Sequence, residues 1–151
     1  GINFSKVKCI VEFGPGTGVF TKEIIKRMNP DACMLVFETN PSFYIKLKQE
    51  IVDPRVVILN ESAEKIGEYL ALENQEKADF IISSLPLTVF PKELKESILK
   101  SAVENLSKNG QYIQFQYSLN AHKLLKEKFN SVKLAFSLIN MPPAFVYKCS
   151  I

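Results

Sequence analysis

Apolar residues gather in five short blocks, at positions 7–13, 32–37, 56–59, 78–83 and 112–117, with polar or amphipathic stretches between most of them. Predominantly apolar runs of this length predict strands buried on both faces, because the regular alternation of a half-exposed strand is lost when neither face meets water. The intervening stretches have helical spacing. Phe20, Ile24, Ile25 and Met28 form one stripe, with Lys22, Glu23, Lys26 and Arg27 on the other side. Asn40 followed by Pro41 predicts a second helix start, since the asparagine caps free backbone N–H groups and proline sits where an N–H would have no partner. Leu94, Ile98, Leu99, Ala102, Val103 and Leu106 mark a later helix, predicted to stop at Lys108-Asn109-Gly110. Strand and helix in alternation predict a parallel α/β sheet.

The rhythm changes after position 117. A short basic helix over 122–129 precedes two apolar runs, 132–139 and 144–151, joined through Asn140-Met141-Pro142-Pro143. A crossover helix does not fit between them, so the two runs are expected to pair antiparallel. The predicted fold is α/β: a seven-stranded Rossmann-like sheet, mostly parallel with an antiparallel C-terminal pair, flanked by helices.

Composition narrows this picture without redirecting it. A length of 151 residues, 46% hydrophobic and 23% charged, fits a single domain over 1–151 with a proper core. Nineteen basic against sixteen acidic residues leave a net charge of +3, far from the basic stripe of a dedicated nucleic-acid binder. Cys9, Cys33 and Cys149 form no Cys-x-x-Cys pair, so neither a disulfide framework nor a metal site is expected, and a reducing cytoplasmic setting fits best. No run approaches the roughly 18 apolar residues of a membrane span, and nothing resembles a signal peptide. The first strand follows Gly1 within a few residues, and a trimmed upstream segment is expected.

The candidate chemistry begins between the first strand and the first helix, at Glu12-Phe13-Gly14-Pro15-Gly16-Thr17-Gly18. Glycines at alternate positions let a small molecule press against backbone at a helix N-terminus. A dinucleotide fingerprint needs its third glycine where Val19 stands, and a phosphate-binding P-loop needs a lysine that is absent from Gly18-Val19-Phe20-Thr21. Glu12 is unwelcome beside a pyrophosphate but favourable beside a cationic amino-acid group. It therefore points to S-adenosylmethionine. Glu38, with Thr39 beside it, ends the second strand, where a carboxylate can accept two ribose hydroxyls. Ser62-Ala63 follows the third strand, either as an adenine contact or as the cap of a helix over 63–70. Ser83 closes the fourth strand at the same edge.

Taken together, Glu12–Gly18, Glu38, Ser62-Ala63 and Ser83-Ser84-Leu85-Pro86-Leu87 resemble the ordered motifs of class I S-adenosylmethionine-dependent methyltransferases along nearly the whole chain. Within that class, the segments 83–91 and 140–147 look most like the bacterial phospholipid N-methyltransferases, which methylate phosphatidylethanolamine. That likeness implies a peripheral membrane enzyme at the inner membrane face, docking through an amphipathic upstream segment that is not in this sequence. The neighbouring rRNA adenine dimethylases carry Asn-Leu/Ile-Pro-Tyr/Phe after the fourth strand, where this chain has Ser84-Leu85-Pro86-Leu87. The amide and the aromatic platform, the latter worth about 1–3 kcal/mol of stacking, are both missing, so RNA is the second choice of partner. A third possibility is a cofactor-binding domain without catalysis.

For the leading reading, oxygens of Ser83, Ser84 and Leu85 are expected to accept amine hydrogens. Ser84 is the first catalytic candidate. Tyr117 is the second, as a further acceptor or as aromatic lining. Phe43, Tyr44, Phe90, Tyr117 and Phe145 are candidates for cation–π contact with a methylated ammonium. His122 has no Gly-x-Ser-x-Gly partner and is expected at the surface. Lys123, Lys126 and Lys128 form a solvated face or touch anionic phosphate. By resemblance, the Met141-Pro142-Pro143 bend walls the acceptor pocket. The methyl donor needs no metal, and none is expected.

Overall fold

The computed structural model describes residues 3–116, 119–137 and 144–151. Seven strands form one sheet: β1 (Cys9–Phe13), β2 (Cys33–Phe37), β3 (Val56–Leu59), β4 (Ala78–Ser83), β5 (Leu106–Gln116), β6 (Ser131–Ser137) and β7 (Ala144–Ser150). Their spatial order is β3-β2-β1-β4-β5-β7-β6. The pairs among β1 to β5 are parallel, while β7 runs antiparallel to both β5 and β6. This is the sheet that the apolar runs predict.

Helices cover both faces, which is why the central strands carry no polar alternation. On one face α1 (Val19–Arg27) and α2 (Pro41–Glu50) bury Ile24 and Leu47 against Ile10, Met34, Val36 and Ile82. On the other, α3 (Ile66–Leu72), α4 (Lys92–Asn105) and α5 (His122–Lys128) bury Leu70, Leu99 and Leu125 against Val11, Leu35, Ile81 and Tyr112. Asn40 caps α2 as expected, its side chain accepting from the backbone N–H of Ser42 and Phe43, a device worth about 1 kcal/mol.

One boundary differs from expectation. α4 ends at Asn105 and β5 starts at once at Leu106, so Gly110 lies inside a strand and is not a helix cap. The register between β4 and β5 shifts between the Ala78–Leu106 and Phe80–Gln111 pairs, a bulge that brings backbone close to Gly110. A Cβ there would stand 2.8 Å from the Asp79 carbonyl oxygen. The glycine is required by close approach across the sheet, a demand that a local reading of Lys-Asn-Gly mistakes for a helix stop.

Because β1 to β4 are parallel, the loops that follow them emerge at a single edge of the sheet. That edge is the usual place for ligands in open α/β folds.

Candidate active site

The loop after β1 has Gly14, Gly16 and Gly18 at φ of 68°, 57° and 85°. Two of these glycines are also needed for packing. A Cβ at Gly18 would lie 2.6 Å from Leu47 Cδ2, and one at Gly14 would lie 2.8 Å from Leu85 Cδ2. At Gly16 a Cβ would meet nothing within 4 Å. The middle glycine thus exposes bare backbone to open space, which leaves room for a ligand to lie against it.

Two carboxylates bracket this loop. Glu38 is 7% exposed; its Oε1 accepts from Gly16 N at 3.1 Å and its Oε2 from Asn40 N at 3.0 Å. It ties the glycine loop to the start of α2 and keeps lone pairs on both oxygens for further donors. Asn60 steadies the same turn by donating to the carbonyls of Glu38 and Thr39. Glu12 is fully buried in β1. Its Oε2 accepts from Thr21 Oγ1 at 2.6 Å, while Oε1 is buried with no partner among the described residues. Burial pushes the Glu12 carboxyl up to about 7, opposed by the Thr21 hydrogen bond and reinforced by the charge of Glu38. An orphaned carboxylate oxygen is costly unless something completes it, so this arrangement fits a ligand that carries a cationic group.

A cleft of about 120 Å³ opens beside Glu38, lined by Glu38, Thr39, Ser62, Ala63, Leu85 and Phe90 among others. Ser62 does cap the following 3-10 turn, accepting from Glu64 N at 3.3 Å, and it also lines the cleft. Both of its expected roles remain open to it. Thr17 is exposed on the loop, and Phe13 contributes only backbone because its ring packs edge-on against Phe37 in the core. A larger groove, about 360 Å³, lies beside α1 against Phe20, Ile82 and Phe115. Of the two, the smaller cleft is the one lined by Glu38, Thr39 and Ser62.

The far side of the site is the turn after β4. Ser84 N donates to Phe13 O at 3.0 Å, and Leu85 N donates to Ser83 Oγ at 3.3 Å. Ser84 Oγ is buried with no partner among the described residues. Leu87 is fully buried in the core, so it offers no face to a stacked base. The Leu85 carbonyl, one of the expected acceptors, is already taken. It accepts from Gln114 Nε2 at 2.9 Å, from Gln116 Nε2 at 3.0 Å and from Leu87 N at 2.9 Å. The sequence does not single out these two glutamines or Thr21, although two amides within the apolar block 112–117 are a visible sign.

Tyr117 and the Met141-Pro142-Pro143 bend lie outside the described residues, as does Asn140. Of the aromatic candidates, Phe90 lines the cleft, Phe145 packs on Phe136, and Tyr44 joins the core under α2. His122 is half-buried beside the Tyr147 ring. Lys128 pairs with Glu96, which leaves Lys123 and Lys126 as the exposed cations of α5. No cluster of three or more His, Cys, Asp or Glu side chains able to hold a metal occurs among the described residues.

The sequence is 29% identical over 150 residues to an ornithine lipid N-methyltransferase of Singulisphaera acidiphila, covering 98% of this chain and 78% of that one. No protein-family model matches. Among solved structures, the fold is similar to a putative rRNA-methylase from Clostridium thermocellum (TM-score 0.74, 15% identity, 95% of this chain and 87% of that one). It is equally similar to human methyltransferase-like protein 13 in complex with SAH (TM-score 0.74, 14% identity, 98% and 73% covered). Likeness in sequence to one methyltransferase and a frame shared with others agree with the chemistry of the glycine loop, and the chain has the fold of the class I S-adenosylmethionine-dependent methyltransferases.

Proposed function

We propose that this enzyme methylates a primary amine carried on a membrane-lipid head group. The observation that carries the reading is the turn after β4: a buried, unpartnered Ser84 hydroxyl beside the glycine loop, next to a Leu87 that is wholly consumed by the core. A hydroxyl of this kind suits a small amine. A flipped adenine would require an amide and an aromatic face, and Ser84 and Leu87 supply neither. The ornithine lipid N-methyltransferase relative supports a lipid amine, and the motif resemblance supports phosphatidylethanolamine as one such lipid. Both head groups present a primary amine.

When bound, S-adenosylmethionine supplies a methyl group already activated on a cationic sulfur, so a correctly aimed amine lone pair suffices. In this proposal the free Oε1 of Glu12 faces the cationic amino-acid end of the donor, and the remaining lone pairs of Glu38 accept the ribose hydroxyls. Thr39, Ser62, Ala63 and Phe90 wall the adenosine end of the cleft. Loop residues Phe13 to Gly18 give backbone contact, and Ser83 braces the turn that closes the site. Ser84 Oγ accepts one amine hydrogen and turns the lone pair toward the donor. An alkyl amine with an ordinary pKa of about 10 reaches the site protonated, and the low-dielectric cleft beside a cation favours loss of that proton.

A lipid amine also requires the rim to meet a bilayer. Val89, on the 3-10 turn that follows Pro86, is 75% exposed, and Leu119, on the turn packed against it, is 50% exposed. No helix among the described residues is long and apolar enough to cross a membrane, so contact in this proposal is peripheral.

The test is mass-spectrometric detection of methyl transfer to vesicles containing either ornithine lipid or phosphatidylethanolamine, with ribosomal RNA as the third acceptor. Methylated lipid amine is the expected product. Methylation of RNA adenine with inert lipids would overturn the reading.

A further inference from the structure

The carbonyl of Leu85 accepts three N–H donors at once, and the source of two of them is unusual. The Leu87 N–H closes an inverse γ-turn around Pro86, whose φ of −77° and ψ of 70° match that turn. The other two donors are side-chain amides from β5, Gln114 and Gln116, respectively 0% and 6% exposed. Gln114 lies directly opposite Ser83 in the sheet register. It is itself held: its Oε1 accepts the Tyr112 hydroxyl, and its Nε2 also reaches the Phe115 carbonyl at 3.2 Å.

Burying two amides in an apolar sheet costs free energy unless every polar atom finds a partner. Here the two amides share one such partner, the Leu85 carbonyl in the turn that bears Ser84. The arrangement saturates Leu85 O, which would otherwise compete for an incoming amine. It leaves Ser84 Oγ, one residue earlier, as an acceptor on that turn with no partner among the described residues. Leu85 also packs its side chain over Gly14, so the same residue sets the spacing between the donor loop and the acceptor turn.

We propose that Gln114 and Gln116 are positioning residues for methyl transfer: by clamping the Leu85 carbonyl they fix the Ser84 hydroxyl against the glycine loop. The inference rests on the acceptor role given above to Ser84. It does not depend on which lipid carries the amine.

Gln116, nearer the strand end and free of the Tyr112 bond, is the residue to change, since Gln114→Leu would also orphan a buried tyrosine hydroxyl. Gln116→Leu is expected to speed amide hydrogen exchange at residues 84–87 by at least about tenfold, with exchange in β1, β2 and β3 unchanged. Unchanged exchange at 84–87 overturns the clamp, whatever the acceptor proves to be. With the lipid amine that the unsubstituted enzyme methylates, Gln116→Leu is expected to lower kcat about tenfold while KM and S-adenosylmethionine affinity stay within about threefold. The double variant Ser84→Ala/Gln116→Leu should be no slower than Ser84→Ala alone, because the glutamine acts through the serine. Wild-type kcat in Gln116→Leu, or losses that multiply in the double variant, would refute the positioning role. Failure of the lipid reading has a different signature: no lipid methylation by the unsubstituted chain, with exchange at 84–87 still responding to Gln116→Leu.

Discussion

The two sides of the site that we propose for donor and acceptor are built by opposite means. On the donor side two buried carboxylates flank a glycine loop: Glu38 takes the N–H of Gly16, and Glu12 is held by the Thr21 hydroxyl. On the acceptor side, a backbone carbonyl is organised by buried amides, with Gln114 and Gln116 holding Leu85 O. One side concentrates negative charge, which suits a cationic ligand and should respond to pH. The other is neutral and geometric, and should respond to shape and hydrogen bonding.

The sharpest way to separate the two sides is Gly16→Ala. No protein atom opposes the new Cβ, so the fold should lose only the cost of a left-handed alanine, about 1–2 kcal/mol. The Cβ enters the space reserved for the ligand, and S-adenosylmethionine affinity measured by calorimetry should fall about 100-fold, equivalent to ~2.7 kcal/mol. Retained affinity would remove the loop from the donor site.

Leu87→Phe examines the acceptor side. The residue is fully buried, so the larger ring overpacks the core and should lower stability by about 1–3 kcal/mol in denaturant unfolding. Gain of adenine methylation in this variant, instead of instability, would revive the RNA reading. Ser84→Ala should slow methyl transfer about tenfold, the worth of one oriented hydrogen bond, at unchanged cofactor affinity. Its melting temperature should not fall, because the hydroxyl has no partner to lose among the described residues. A loss of cofactor affinity instead would move Ser84 to the donor side.

The smallest expected effect is that of pH. The Glu12 carboxyl is raised from its ordinary 4.5 to about 7 in the folded chain, so the folded state holds this proton more tightly than the unfolded state. Its contribution to stability is therefore greatest below about 4.5, declines as pH rises toward about 7, and levels off above. A cationic ligand favours the ionised form, so S-adenosylmethionine affinity should rise about five- to tenfold between pH 6 and 8. In Glu12→Gln that slope should vanish. A persistent slope would assign the titration to another group.

The sequence is uneven in what it discloses about these two sides. The donor side could be read because each of its elements is local: a strand end, three glycines and a carboxylate within seven residues, then Glu38 at the end of the next apolar run. The acceptor side was legible only as far as Ser84 and Leu87. Gln114 and Gln116 alternate with Ile113 and Phe115 in a block that the sequence reads as a buried strand, and nothing local says what their face meets. In the fold that face lies beneath α5 and the turn after β4, and both amides are buried. Gly110 misled for the same reason, since its neighbour is the Asp79 carbonyl on another strand.

By itself the sequence determined the strand and helix rhythm, the antiparallel end of the sheet, the α2 cap and the glycine loop, because hydrophobic period, capping and turn chemistry act over a few residues. Only the tertiary structure decided which polar groups are satisfied and by whom. That is a question of long-range partners: among the described residues Glu12 keeps an oxygen and Ser84 a hydroxyl without a partner, while Leu85 O acquires two amide donors from some thirty positions away.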